Sequence, residues 1–391
     1  MNLRLGSPLL ALMIWGIGNG FAWAQTIIAT PSLTISEEYD DNITLTSKDP
    51  LSDFISAARP ALSLEVKDHP WYVTLAGSLR GELFASHSEL NNYDNQDGRV
   101  SIEFRPERPF SLSLTDTFVR STNPATVAPE AGIATGRFTA ISNAITPAAT
   151  YQFNPRTGIR LQYSFRILRS DSANARDSDT HEATAALQHR FTPRTSGDIS
   201  YTFSRFLVEG SAERDSHSPR LGLVFAYSPT VKFVSSTGLL FLEQEDGSQE
   251  VTLASSTRYE QAFRQGGFSI GYERNAGVAG LTGVTSVSQG ITAAANYQPI
   301  RNLTLALDAS LTETKGSGSA PTDSASTGSA PTRTDFLTFL GSFRISYRLL
   351  RWLSVEASYR YQRQDDRAGS QDLQKNVFFL GLTASDQFRI R

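Results

Sequence analysis

The stretch WYVTLAGSLRGELF, residues 71 to 84, decides the fold. Every second residue, Trp71, Val73, Leu75, Gly77, Leu79, Gly81 and Leu83, is apolar or glycine, and Tyr72, Thr74, Ala76, Ser78, Arg80 and Glu82 lie between them. A period of two places the first set on one face of a β-strand and the second on the other. Fourteen alternating residues far exceed the usual strand length of about 5 or 6. So long an apolar face needs a deep partner, either a second sheet or lipid.

The same alternation recurs to the end of the 391-residue chain. It is seen in Val100 to Phe104, Phe110 to Leu114, Ile159 to Ile167, Leu221 to Tyr227, Val251 to Phe263, Leu303 to Leu311, Leu337 to Tyr347 and Leu353 to Tyr361. No segment shows a convincing helical period. Two kinds of connection take turns between the strands. Short ones fall near His69-Pro70, Pro106 to Pro109, Pro155, Pro193, Pro229, Gly266-Gly267, Pro299 and Arg348 to Arg351, nearly all marked by proline or glycine. Longer polar ones fall near residues 42–52, 85–97, 120–136, 169–179, 208–217, 243–250, 275–286, 314–334 and 364–374. Eight short and nine long connections predict 18 strands, with 16 as the alternative count. Strict short–long alternation belongs to an up-and-down transmembrane barrel, with tight periplasmic turns and extended external loops. A soluble sandwich has no reason to sort its loops in this way.

Aromatic residues give an independent test, because amphipathic rings collect at the two bilayer interfaces. Trp71, Phe104, Phe110, Tyr151, Phe153, Phe191, Tyr227, Phe263, Phe268, Tyr297, Tyr347 and Trp352 stand beside short turns. Tyr39, Phe84, Phe118, Phe138, Phe165, Phe203, Phe241, Tyr272, Phe336, Tyr361 and Phe378 stand toward the long loops. A general preference of aromatics for strands would scatter them evenly. The apolar faces are therefore expected to meet lipid. Since lipid cannot hydrogen-bond a free sheet edge, the strands must close into a ring.

Composition agrees. Hydrophobic residues make up 39% and the net charge is -3, which suits a wall half polar by construction and argues against a nucleic-acid binder. The absence of cysteine removes thiolate metal sites and cysteine nucleophiles. Residues 1–24 read as a cleaved signal peptide: Arg4, an apolar core from Leu9 to Gly18, and Ala22-Trp23-Ala24 before Gln25. Residues 25–391 are then expected to form one barrel domain, in the outer membrane of a Gram-negative cell.

If one face meets lipid, the other lines the lumen. By parity this set includes Arg80, Glu82, Arg99, Glu103, Arg105, Arg160, Arg166, Glu182, Arg190, Arg220, Arg258, Glu260, Asp308, Glu356 and Arg360. Nine arginines against six carboxylates suggest a modest preference for anions, unless cross-strand pairing simply knits the wall together. No catalytic, cofactor or metal site emerges. His181 and His189 fall on the lipid side, and His217 lies near Asp215 and Ser216 in a possible dyad, although a solvated loop histidine is far commoner. The run Glu37-Glu38-Tyr39-Asp40-Asp41-Asn42 is rich in oxygen ligands but lacks EF-hand spacing, which leaves open whether Asp40 and Asp41 bind calcium. Residues 315–333, with GSAPT at 318–322 and 328–332, are too small and polar to pack a core and read as a flexible external loop.

PSLTISEEYDDNITLT, residues 31 to 46, resembles the start of the β-barrel porins encoded beside exopolysaccharide or exosortase-type gene clusters; the matching piece is Glu38-Tyr39-Asp40-Asp41-Asn42-Ile43. The resemblance implies outer-membrane location and a role in polysaccharide export or secretion, and it brings no catalytic residues. One departure is the ending Asp386-Gln387-Phe388-Arg389-Ile390-Arg391, where such barrels usually finish on an aromatic residue read by the assembly machinery. The expected function is a passive pore for a saccharide polymer or small polar solutes. The alternatives are a non-conducting structural or adhesive barrel and, third, an outer-membrane hydrolase. The expected partners are outer-membrane lipid and the barrel assembly machinery, with no cofactor; oligomeric state stays open.

Overall fold

A computed structural model describes residues 26–390 apart from 107–108, 129–135, 174, 244–247, 279–284, 319–331 and 368–371. The proposed signal peptide lies outside the described residues. The strands are β1 (Thr26–Asp40), β2 (Asp53–Asp68), β3 (Trp71–Phe84), β4 (Asn92–Phe104), β5 (Phe110–Ser121), β6 (Ala140–Asn154), β7 (Thr157–Ser170), β8 (Ser178–Arg190) and β9 (Thr195–Val208). They continue as β10 (Arg214–Ser228), β11 (Val231–Glu243), β12 (Gln249–Phe263), β13 (Gly266–Val278), β14 (Thr285–Ile300), β15 (Leu303–Gly318), β16 (Thr332–Leu350), β17 (Leu353–Asp366), β18 (Leu373–Ser385) and the short β19 (Phe388–Ile390). Each of β1 to β17 pairs antiparallel with the strand that follows it, and β18 returns to pair with β1 from Ser32↔Ser385 to Asp40↔Val377. After a two-residue break, β19 carries the same line onward against Ile27 to Ala29. The wall is a closed antiparallel barrel of 18 strands. Closure leaves no edge without a hydrogen-bond partner.

The deciding stretch forms β3 over the whole of residues 71 to 84. Its register against β2 and β4 keeps the odd residues together on the outside: Leu75 stands opposite Leu64 and Val100, and Trp71 packs on Phe104 with ring centroids 4.6 Å apart. Around the barrel, large apolar residues point outward and stay exposed, among them Ile199 at 63%, Leu221 at 65% and Leu307 at 53%. In water such a surface would aggregate. As the wall of a barrel crossing a bilayer it is the stable arrangement.

The described residues form no central apolar core. Among the described residues, buried apolar side chains gather in small clusters at or beside the long-loop end, such as Ile43, Ile55 and Phe84, or Val127, Ala128, Ala140 and Leu168. Two expectations change here. Phe84 is 4% exposed and packs inside, and Phe138 joins the second cluster, so neither belongs to the outward aromatic belt. Phe336 likewise falls on the face opposite the outward Phe339. Rings near a strand end can pack under an inward loop as readily as sit at the interface. The loop expected over 315–333 is shorter, because β15 and β16 stay paired from Lys315↔Asp335 to Gly318↔Thr332; small polar residues are still competent to carry a backbone ladder. The remainder, 319–331, lies outside the described residues.

Candidate functional site, the barrel interior

Strand register places the predicted interior residues on the face opposite the apolar belt; Arg105 lies one position past β4. Some are brought together. Arg80 forms ion pairs with Glu38 on β1 and, at 2.9 Å, with Glu82 on its own strand. Glu82 also accepts from Arg137 at 2.9 Å, and that guanidinium lies 4.9 Å from the centroid of the Phe84 ring. Glu103 pairs with Arg105. Glu356 pairs with Arg344 at 3.4 Å and accepts from Ser346. Others meet neutral partners: Arg160 donates to Gln162 at 2.9 Å, Arg220 to Ser218 at 2.9 Å and Asn275 at 3.2 Å, and Asp308 accepts from Ser342 at 3.4 Å. Glu182 stands between Ser164 and Ser204, Arg258 opposite Val234 and Gly271, and Glu260 opposite Lys232 and Ser269. Arg99, Arg190, Arg258 and Arg360 are exposed on this inner face. The fifteen do not converge on one point; they are spread around the wall.

Sequence reasoning missed several interior charges. Arg59 of β2 bonds Ser78 and Asp97, both at 2.7 Å, and the same parity rule applied to β2 finds it. Arg137 lies in a long connection, where no period exists to read.

Two long connections fold inward at the mouth. In residues 41–52, Ile43 and Leu45 are buried, and Asn42 holds the bend: its side-chain oxygen accepts from the Thr46 amide at 3.1 Å and its side-chain nitrogen donates to the carbonyls of Thr46 at 2.8 Å and Gln374 at 3.2 Å. Asp40 pairs with Lys375 at 2.6 Å, both side chains being 7% exposed. Asp41 accepts from the Asn376 backbone and side chain, each at 2.6 Å. The motif from Glu38 to Ile43 therefore ties β1 to β18 and β3 and turns the loop inward. The oxygens of Asp40 and Asp41 raised for calcium are engaged by Lys375 and Asn376. In the described parts of the next such connection, 122–128 and 136–139, the Val127 carbonyl accepts from Arg166 at 2.9 Å and the Gly136 amide donates to the Leu45 carbonyl at 3.3 Å. Leu45, Leu373 and Ala125 pack together. The two loops thus meet over one sector of the mouth.

Between β3 and β4, the Asp53 carboxylate gathers residues 85–91 by accepting from the Ser86 and His87 amides at 3.0 Å, with the His87 ring Nδ1 also 3.0 Å away. Asp53→Ala strands those donors, and a cost of about 1–3 kcal/mol follows. Limited proteolysis is expected to cut within 85–91 in the variant and not in the parent.

The histidines do not form a hydrolytic centre. His217 faces outward with Nδ1 2.6 Å from the Tyr201 hydroxyl, Asp215 is held by Arg205 through two 2.8 Å bonds, and Ser216 is buried on the opposite face. His181 repeats the pattern, 2.7 Å from the Tyr163 hydroxyl.

No protein-family model matches this chain, and no curated protein matches it. Solved structures do share its shape. OccAB3 of Acinetobacter baumannii superposes with a TM-score of 0.50 at 10% identity, covering 93% of this chain and 99% of its own. OccK7 (OpdD) of Pseudomonas aeruginosa gives 0.48 at 11% identity, covering 94% of this chain and 100% of its own. At such identity the likeness is one of fold: the chain has the fold of OccAB3 over nearly its whole described length.

Proposed function

We propose that the chain is an outer-membrane barrel acting as a passive pore, made with a leader of residues 1–24 and folding as one unit from residue 25. One observation carries this reading. Exposed charged residues on the inner face stand directly beside exposed apolar residues on the outer face of the same strand: Arg160 next to Leu161, Asp308 next to Leu307, Arg360 next to Tyr359. Both sides of the wall are open, as expected of an 18-stranded cylinder, which is too wide for its own side chains to fill. The fifteen interior residues named above then line the pore, their excess of arginine favouring anions. The shared fold with OccAB3, of the outer-membrane porins, supports the location. The link to polysaccharide export rests on the Glu38–Ile43 resemblance; lipid and the assembly machinery are the proposed partners.

A second reading, a plugged structural or adhesive barrel, is favoured by the contacts that join residues 41–52 to Ala125 and Gly136 at the mouth. Single-channel recording on the purified protein separates the two. Large, stable steps with an anion-selective reversal potential in a salt gradient are expected; silence in folded protein supports the plug and removes the pore.

A further inference from the structure

The short turns carry charge of one sign. Arg105, Arg156, Arg194, Arg264, Arg301 and Arg351 occupy six of the eight, all are exposed, and no described turn residue is a carboxylate. Among the described residues only Arg105 of these six has an ion-pair partner, Glu103. The long connections show the reverse balance, with eight carboxylates against four lysines and arginines among their described residues. In a chain of net charge -3 a cationic rim is a matter of placement, not composition.

At Arg105 the rim reaches the lumen side. The Arg105 guanidinium lies 5.9 Å from the centroid of Tyr72, an inner-face residue. Just inside, exposed Arg190, Lys232 and Arg348 fall on the inner face by register. Of the nearby carboxylates, Glu65 is matched by Lys67 and Glu103 by Arg105, and Glu260 stands opposite Lys232; Asp68, Asp198 and Asp386 are without an ion-pair partner among the described residues, so the cations outnumber the carboxylates at this end and do not stand alone. Guanidiniums set at hairpin intervals around a ring do not converge on one small anion. They suit a chain of repeated negative charges threading the axis. A low-dielectric tube positive at one mouth and negative at the other also focuses its field along that axis.

We propose, building on the pore reading, that the short-turn mouth is an entry port for polyanions, which the barrel admits from the turn side in preference to the loop side. The test is asymmetric block of single channels. Thr230→Cys, in a turn without arginine, gives a unique thiol in a cysteine-free chain, so a thiol reagent added to one chamber reports the orientation of each barrel. Dextran sulfate on the turn side is expected to block at a concentration about tenfold or more below that needed from the loop side, and neutral dextran of equal length to show no difference. Replacing Arg156, Arg194, Arg264, Arg301 and Arg351 together by Gln is expected to abolish the preference and keep the current steps; Arg351→Glu alone, a milder change to the fold, is expected to reduce it. Equal block from both sides of the parent overturns the proposal while leaving the pore intact. Absence of current steps overturns both readings. A preference that vanishes when anionic bilayer lipid is replaced by phosphatidylcholine assigns the rim to phospholipid headgroups and overturns the polyanion port.

Discussion

Lys375→Met is expected to destabilise the barrel by about 3–5 kcal/mol, because it leaves the Asp40 carboxylate buried without its counter-charge. The pair is 2.6 Å apart with both side chains 7% exposed, and Lys375 also donates to the Asn42 carbonyl at 3.3 Å. Loss of the ammonium therefore strands two acceptors at the seam between the first and last strands. Unfolding in urea, followed by the mobility difference between folded and unfolded barrel on a gel, should show the midpoint moving down. The double variant Asp40→Asn, Lys375→Met should recover most of the loss, since removing both charges restores neutrality. An unchanged midpoint in the single variant would show that the pair does not hold the seam. Because the same lysine anchors residues 41–52, the single variant is also expected to conduct in larger steps.

The other large effect concerns the outer wall. Leu221→Arg, at an outward position 65% exposed and opposite Ile199, is expected to cost about 2–4 kcal/mol if it lies near the bilayer midplane. Ser236→Arg, on the inner face opposite Gly222 and Ser256, should cost far less, since its charge stays hydrated. Urea unfolding of both variants in vesicles makes the comparison. Equal sensitivity would mean that the Leu221 face does not touch hydrocarbon.

How much of this was legible in the sequence depends on which forces had a local signature. Parity alone located the wall: Trp71 to Leu83 read outward because a strand has no choice but to alternate. Proline and glycine marked the turns because they act on the backbone where they stand. The inner face of β3, β7 and β17 followed from the same rule, and Arg80, Arg160 and Arg360 were placed by it. The mouth was not readable in this way. Asn42 and Lys375 meet through a bend and a ring closure, and Arg137 reaches Glu82 from a connection with no period. Phe84 and Phe138 were misplaced for the same reason: an aromatic at a strand end looks alike in sequence whether it faces lipid or an inward loop. The pairing of Lys315 to Gly318 with Thr332 to Asp335 was hidden because glycine and serine carry no strand signature, although their amides pair as well as any.

The seam between β1 and β18 also constrains how the molecule is made. Asp41 and Asn376, bonded across it, stand 335 positions apart in the chain. Apart from this seam and its continuation from β1 to β19, each neighbouring pair of strands is a local hairpin, while the seam closes a loop spanning almost the entire protein, the slow and entropically costly kind. Until it forms, two long ribbons with free amides and carbonyls remain at the ends of an open sheet, so the interval before ring closure is when the chain is most exposed to aggregation and most in need of an escort.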